Sequence, residues 1–223
     1  MKKFLSLVLI LFSSIQMSLG FEGASMSFWQ SGNSERSMVS GGFGIGIGIF
    51  YPGGVNDYIA DQTSHLIVTT GLVEMITNFS GKICVNVRPH QVIEISSFLE
   101  AAWAPKFIFV DVDNDYYFSF SKISPGISPK IHIPMGTGRH SFFFAPAVTF
   151  NFLKFKDGQG SNPEYKGGCL GGKIHAGFNL DFRKIKLVPF FGYDHAKTTG
   201  KEIGGDRLEL SYSGAQLGVE ILF

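Results

Sequence analysis

The chain has 223 residues and a nearly balanced charge, with 19 Lys and Arg against 18 Asp and Glu. The overall charge therefore points neither to nucleic acid nor to an anionic surface as a partner. The 28 Gly and 23 Phe suit a β-sheet with crowded faces, and these counts alone do not exclude a soluble β-sandwich.

The first 20 residues have the pattern of a secretory signal peptide. Lys2 and Lys3 precede an apolar run from Phe4 to Phe12, and small residues stand just before a cleavage point. The run is too short for a membrane-spanning helix, and no Cys follows it that could accept a lipid anchor. We predict that residues 1–20 are removed and that residues 21–37 form an arm or, alternatively, an extra strand.

The rest of the chain alternates apolar with small or polar residues, and no segment has a convincing helical period. The first predicted strand is Met38 to Tyr51, where large side chains face one way and almost nothing faces the other. Its two faces are Val39, Phe43, Ile45, Ile47, Ile49 and Tyr51 against Ser40, Gly42, Gly44, Gly46 and Gly48. Residues 55–59 then lie in a long loop, as ordered surface chain or as a short helical turn.

The segment from Leu72 to Arg88 decides the number of strands. A break at 78–81 would give two strands, but the alternation never slips, and Phe79 stays on the face opposite Lys82. We therefore predict one long strand with a bend at Gly81.

The next two predicted strands are Gln91–Trp103 and, about, Tyr116–Ile133. The second contains Pro125 and Pro129, which cannot donate a hydrogen bond to a neighbouring strand. Each proline therefore predicts a bulge or a locally unpaired position.

Four more strands follow, which makes about eight in total. They are Ser141–Phe155, Gly168–Phe182, a seventh strand that ends near His195, and Arg207–Phe223, with polar loops at 157–163 and 197–206.

The connections differ in length from one end of the strands to the other. Short turns at 89–90, 136–138 and 183–184 alternate with loops of about ten residues or more, and the strands exceed the usual soluble length. This asymmetry is typical of a barrel in the outer membrane of a Gram-negative bacterium, whose short turns face the periplasm. We predict an all-β fold, an antiparallel up-and-down transmembrane β-barrel of about eight strands over residues 38–223, with ten strands as the alternative.

The last strand ends in an aromatic residue preceded by apolar residues at every second position, namely Leu217, Val219, Ile221 and Phe223. This resembles the carboxy-terminal sorting signal of bacterial outer-membrane proteins. It departs from that signal at Ala215, where an aromatic is commoner. The resemblance implies recognition by the barrel-assembly machinery.

In architecture, the mature chain resembles the small eight-stranded barrels typified by outer-membrane proteins A, X and W. The resemblance implies an integral outer-membrane protein with a structural, binding or small-hydrophobic-molecule passage role. Two alternatives are an outer-membrane lipid-modifying enzyme or protease, and a soluble periplasmic β-sandwich. We expect outer-membrane lipid as a partner, a monomer, no catalytic residues and no cofactor.

A barrel of about eight strands is too narrow for an open channel, so its inward residues should fill it. Charges of both signs point inward in the periplasmic half, and we predict that they form ion pairs that plug the lumen. They are Lys82, Arg88, Glu94, Lys130, His132, Asp181, Lys186 and Glu220.

Near the external rim the inward residues are apolar instead: Phe50, Phe118, Phe120, Leu153, Phe155, Leu208, Leu210 and Tyr212. This lining resembles the hydrophobic pocket of protein W-like barrels. It predicts a site for a small hydrophobic ligand, formed mainly by Phe50, Phe118, Phe120, Phe155, Leu210 and Tyr212. The alternative is that these side chains pack against one another or against the loops.

Aromatic girdles flank the apolar band of such barrels. We predict that Trp103, Tyr51 and Tyr193 lie near the external interface and Phe182 and Phe142 near the periplasmic one.

The candidate catalytic and metal-binding residues do not predict an active site or a metal site. Adjacent strand residues point to opposite faces, which argues against Asp194-His195 and His140-Ser141 as catalytic pairs. Inward His132 and His175 lack a cysteine or carboxylate cluster at ligand spacing, so no metal site is expected.

The two cysteines should remain reduced although the compartment oxidises thiols. About ten residues of strand rise separate Cys84 from Cys169, which is far beyond the reach of a disulfide.

Overall fold

The computed structural model describes residues 39–55, 57–58, 75–110, 115–136, 140–158, 163–182, 185–202 and 207–223. The predicted signal peptide, the arm at 21–37 and its alternative as an extra strand lie outside these residues. Within the described ranges, no helix is long and apolar enough to cross a membrane.

The described strands form a closed antiparallel β-barrel in sequence order. They are β1 (Val39–Tyr51), β2 (Ile76–Val87), β3 (Ile93–Val110), β4 (Asp115–Met135), β5 (His140–Asp157), β6 (Glu164–Asp181), β7 (Lys186–Glu202) and β8 (Arg207–Leu222). Because β8 pairs with β1, the sheet has no free edge. The predicted fold class and the strand number of eight are confirmed.

The pairing register shows how far the strands lean. A path of directly paired residues leaves β1 at Gly41 and returns to β1 at Tyr51, ten residues further along. It passes through Val85, Ser97, Ile127, Val148, Gly172, His195 and Ser213. A displacement of this size means that the strands tilt strongly from the barrel axis, and an eight-stranded interior is just wide enough for side chains to fill.

The two faces of the sheet have opposite character, as the alternation predicts. In β2, Asn78, Ser80 and Lys82 are buried inside the barrel while Phe79 and Ile83 are exposed outside it. Exposed hydrophobic side chains occur on all eight strands, for example Ile45, Phe79, Trp103, Ile127, Val148, Leu170, Phe191 and Leu217. The inward and outward assignments of the sequence are confirmed.

The glycines on the inner face of β1 make room for polar side chains from neighbouring strands. A Cβ atom at Gly46 would lie 2.6 Å from Gln216 Nε2 and 2.8 Å from Ser80 Oγ. A Cβ atom at Gly44 would lie 2.9 Å from Glu220 Cγ. The side chains that fill the lumen therefore lie directly against the β1 backbone.

The prolines of β4 cause a locally unpaired position, and no bulge. The β3–β4 register runs unbroken past both Pro125 and Pro129. On the β5 side the pairing skips the positions of both prolines and resumes in the same register. Ser128 Oγ donates to the carbonyl oxygen of Pro146 at 2.8 Å, so a side chain supplies one of the missing donors.

The strands on the long-loop side extend further than predicted, and three predicted loops were too long. β3 continues to Val110, β7 continues to Glu202, and only residues 111–114 and 203–206 remain as connections there. The connection between β5 and β6 is residues 158–163. In β7 the apolar alternation stops where the side chains become polar, and in β3 it stops at a register shift between Ala104 and Phe107, whereas backbone pairing continues beyond both points.

The turn regions at 88–92 and 182–185 are short, as predicted. The Ile93 amide donates to the His90 carbonyl at 3.2 Å, and the Phe182 amide donates to the Ile185 carbonyl at 2.9 Å. Cys84 and Cys169 are both free thiols in the structure.

Candidate functional site: the filled lumen

The half of the lumen near the short turns holds a cluster of buried charges. Lys82 Nζ donates to Glu220 Oε1 at 2.5 Å, and Lys130 Nζ lies 3.5 Å from Glu220 Oε2 and 3.3 Å from Glu94 Oε1. His132 Nε2 lies 3.4 Å from Glu94 Oε2. These five residues of the sequence-predicted set come together, and each is almost fully buried.

The other three predicted members lie at the short-turn rim and are half-buried. Arg88 Nη2 donates to the Gln91 carbonyl at 2.5 Å. Asp181 and Lys186 are directly paired positions of β6 and β7.

A second charged cluster fills the middle of the lumen, and sequence reasoning did not single it out as a site. Lys122 contacts Asp194, and Lys173 Nζ lies 2.5 Å from Glu100 Oε2. Two longer contacts, Lys122 to Glu100 at 3.7 Å and Lys173 to Asp194 at 3.8 Å, close the group. Lys173 also donates to Gln216 Oε1 at 2.9 Å. The inward parity of all four charged residues was the signal that could have identified the cluster.

Together, the two clusters are electrically balanced. They contain four lysines, Lys82, Lys122, Lys130 and Lys173, and four carboxylates, Glu94, Glu100, Asp194 and Glu220. Burying single charges would cost several kcal/mol each, and close pairing offsets this cost. The removal of one partner would leave an uncompensated buried charge.

Sequence reasoning considered Ser141 only beside His140 and missed its contact with the charged cluster near the short turns. Ser141 Oγ lies 3.0 Å from His132 Nδ1, so that Ser141, His132 and Glu94 form a line. All three are at most 5% exposed. A substrate therefore has no access to this serine in the structure, although the line has the residue types of a hydrolase triad.

The two adjacent pairs considered in the sequence are split between faces, as predicted. Asp194 is buried in the middle cluster, whereas His195 is exposed and its Nδ1 lies 2.6 Å from Ser213 Oγ. His140 Nδ1 accepts a hydrogen bond from the Asp181 amide at 3.2 Å.

Metal ligands do not converge in the described part of the chain, where no three His, Cys, Asp or Glu side chains are grouped. His175 packs its ring against the Phe190 ring, with the centroids 4.8 Å apart.

The external end of the lumen contains an apolar cluster. Phe50, Phe118, Phe120, Leu153, Phe155, Leu210 and Tyr212 are all at most 3% exposed, and Leu208 packs against them. The Phe50 ring stacks on Tyr212 with centroids 4.6 Å apart and lies 5.0 Å from Phe120. In the structure these side chains pack against one another, which is the alternative that the sequence left open, and ligand binding here stays a prediction.

A short helical turn after β1 covers this cluster. Val55 is fully buried in it, and the Tyr58 ring contacts the rings of Phe155 and Tyr165. Tyr58 Oη donates to Asp157 Oδ2 at 2.8 Å. Burial and the neighbouring Asp157 carboxylate raise the pKa of Tyr58 above its ordinary value. The predicted short turn at 55–59 is thus helical where it is described, at 54–55 and 57–58, and it packs against the apolar cluster.

Comparison with known proteins shows which fold this barrel has. No family model matches the chain, and no curated protein matches it. Among solved structures, Neisserial surface protein A superposes with a TM-score of 0.52 at 11% identity, over 83% of this chain and 97% of the other. The chain has the fold of the small outer-membrane β-barrels.

Two further structures of this fold superpose less well. The attachment invasion locus protein Ail of Yersinia pestis, solved in complex with the heparin analogue sucrose octasulfate, has a TM-score of 0.48 at 11% identity, over 83% of this chain and 99% of that chain. The N-terminal β-barrel domain of Pseudomonas aeruginosa OprF has a TM-score of 0.35 at 10% identity, over 82% and 97%.

Proposed function

We propose that this chain is an integral outer-membrane β-barrel that does not conduct, with a structural and ligand-binding role. The observation that carries the proposal is the inversion of polarity across the sheet. Ile45 and Leu170 are 70% and 72% exposed outside, while Lys122 and Glu100 are 1% exposed inside. Apolar residues exposed on every strand would make a soluble protein aggregate, whereas lipid accommodates them, and a closed barrel leaves no strand edge unpaired in lipid.

The filled lumen supports the non-conducting part of the proposal. Two layers of ion pairs and an apolar cluster occupy the interior from the short-turn end to the external mouth. An ion would have to displace buried, paired side chains in order to pass.

The apolar cluster is the place where we propose that a small hydrophobic ligand binds. Phe50, Phe120 and Tyr212 stack within it, and the turn that carries Val55 and Tyr58 lies across it. Such a ligand would replace Val55 and the contacts of Tyr58, so binding requires this turn to move away from the mouth.

The same proposal includes how the barrel is assembled. Phe223 and Gly41 exchange two backbone hydrogen bonds, at 2.9 and 3.0 Å, which join the carboxyl end to the first strand. The barrel-assembly machinery is the partner that we propose for this end of the chain, and the barrel itself is proposed to be a monomer.

Four measurements test the proposal. The protein should fractionate with outer membranes, migrate faster on a gel before heating than after it, and show little or no conductance in planar bilayers. Phe120→Asp should weaken binding of a hydrophobic fluorescent probe to the purified barrel. Recovery in the soluble fraction would refute membrane placement, a large steady conductance would refute the plug, and unchanged probe binding would refute the pocket.

A further inference from the structure

The external ends of β5 to β8 carry a row of cationic residues on the outer face. Lys154 of β5 is directly paired with Lys166 of β6, and Lys197 of β7 and Arg207 of β8 lie on the same outer face. Like charges that stand directly opposite one another destabilise a sheet. An anion at this row would relieve the repulsion.

Among the side chains described on this outer band, carboxylates are fewer than cations. Glu164 forms ion pairs with two amines, with Oε2 3.0 Å from Lys154 Nζ and Oε1 in contact with Lys166 Nζ. Glu209 Oε1 lies 2.9 Å from Lys197 Nζ. Among the side chains described on this outer band, five cations stand against these two carboxylates: Lys154, Lys156, Lys166, Lys197 and Arg207. The side chains of Lys154, Lys166 and Lys197 are about half exposed, so their amines can reach a ligand.

The row lies just above the apolar exterior and on the same face. Phe152 precedes Lys154 by two residues, which is about 7 Å along a strand, and Leu170 follows Lys166 by four. The amines therefore point sideways at the level where a lipid headgroup would begin. Below them, Gly172 leaves open space on the outer face of β6, because a Cβ atom there would have no neighbour within 4 Å.

We propose that this band, Lys154, Lys166 and Lys197 with Arg207, binds the phosphate groups of a phosphorylated lipid in the external leaflet. The inference rests on the membrane placement proposed above. The sideways direction of the amines and the apolar surface beneath them favour a lipid over a soluble polyanion, which would be better met by charges on the loops.

The test uses the folded barrel in phosphatidylcholine nanodiscs, with phosphatidic acid as the phosphorylated probe and native mass spectrometry to count bound lipid. Lys154→Gln, Lys166→Gln and Lys197→Gln together should weaken phosphatidic acid binding on the order of 100-fold, since each amine near an anionic lipid contributes about fivefold. Glu164→Gln should strengthen binding about fivefold, because it removes one negative charge from the band. The same three lysines changed to Arg should retain binding, and an unchanged heat-dependent gel shift shows that each variant is folded.

Several results would overturn the inference. They are equal binding of phosphatidic acid and phosphatidylcholine by the unaltered protein, unchanged binding by the triple Gln variant, or tighter lysine-dependent binding of a heparin fragment than of phosphatidic acid. A barrel that does not insert into nanodiscs would refute the membrane placement and this inference together, whereas insertion without lipid preference refutes the inference alone.

Discussion

Lys122 of β4 and Asp194 of β7 form an ion pair across the lumen, between strands that are not neighbours in the sheet. The Lys122 amine also lies 4.0 Å from the centroid of the Tyr212 ring. One lysine thereby connects the charged middle of the lumen to the apolar external cluster, and it links strands that share no backbone hydrogen bond.

Lys122→Met should destabilise the barrel by about 3–5 kcal/mol, because it leaves Asp194 and Glu100 with less compensation in a buried site. The double variant Lys122→Met with Asp194→Leu should recover most of this loss, since it removes a charge of each sign. Urea unfolding in lipid vesicles, followed by tryptophan fluorescence, measures both. Equal stability of the single and double variants would contradict the pairing.

Gly46→Ala should destabilise the barrel by about 1–3 kcal/mol, because its Cβ atom would overlap Gln216 and Ser80. Gly81→Ala is the matched control in the neighbouring strand, where a Cβ atom would meet nothing within 4 Å. We expect the control to unfold at the same urea concentration as the unaltered protein or a higher one. If both variants lose the same stability, crowding at Gly46 is not the cause.

Deletion of Phe223 should lower the amount of folded protein in the outer membrane, because it removes the terminal aromatic and the backbone bonds to Gly41. Phe223→Trp keeps both features and should assemble normally. Heat-dependent gel shift of outer-membrane fractions measures the folded amount at normal expression. Unchanged folded levels after the deletion would argue against the sorting signal.

Tyr58 should stay protonated at a pH where an ordinary tyrosine ionises. Its folded pKa lies above the unfolded value, so its contribution to stability is complete below the ordinary tyrosine pKa and is lost as the pH rises past it. The absorbance difference between the unaltered protein and Tyr58→Phe should therefore show no tyrosinate at about pH 11. A tyrosinate signal at that pH would mean that the turn does not hold Tyr58 against Asp157.

The outward aromatic residues should mark the two membrane interfaces. Labels at Trp103, Tyr51 and Tyr193 are expected near the external headgroups, and labels at Phe182 and Phe142 near the periplasmic ones. Depth-dependent quenching by brominated lipids measures this. Labels found at mid-bilayer depth would mean that the membrane lies elsewhere along the strands.

The sequence predicts the faces of the strands well, because parity along a strand depends on local geometry alone. Lys82, Glu94, Lys130, His132 and Glu220 were placed inside on this basis, and they meet there. Which inward residues touch depends instead on the displacement of ten residues around the barrel. Parity alone cannot give that value, so the contact of Lys122 with Asp194 was missed.

The sequence did not predict the loop lengths or the cationic row, because both depend on how far and in which register the strands pair. The apolar alternation ends near Trp103 and Phe155, although pairing continues past both. The row that joins Lys154 to Arg207 is visible only once the register is known, and the nearly neutral total charge conceals it.

The glycine face of β1 has a consequence for how the barrel closes. Every ion pair described inside the lumen is made by side chains of β2 to β8, since β1 brings only glycine inward from Gly42 to Gly48. When β8 meets β1, no inward rotamer on this part of the first strand has to be ordered, and the polar interior needs no rearrangement to admit it. Each glycine makes the unfolded chain more disordered than an alanine would, which destabilises the folded strand by about 0.5–1 kcal/mol. The first strand therefore depends on its neighbours for its order.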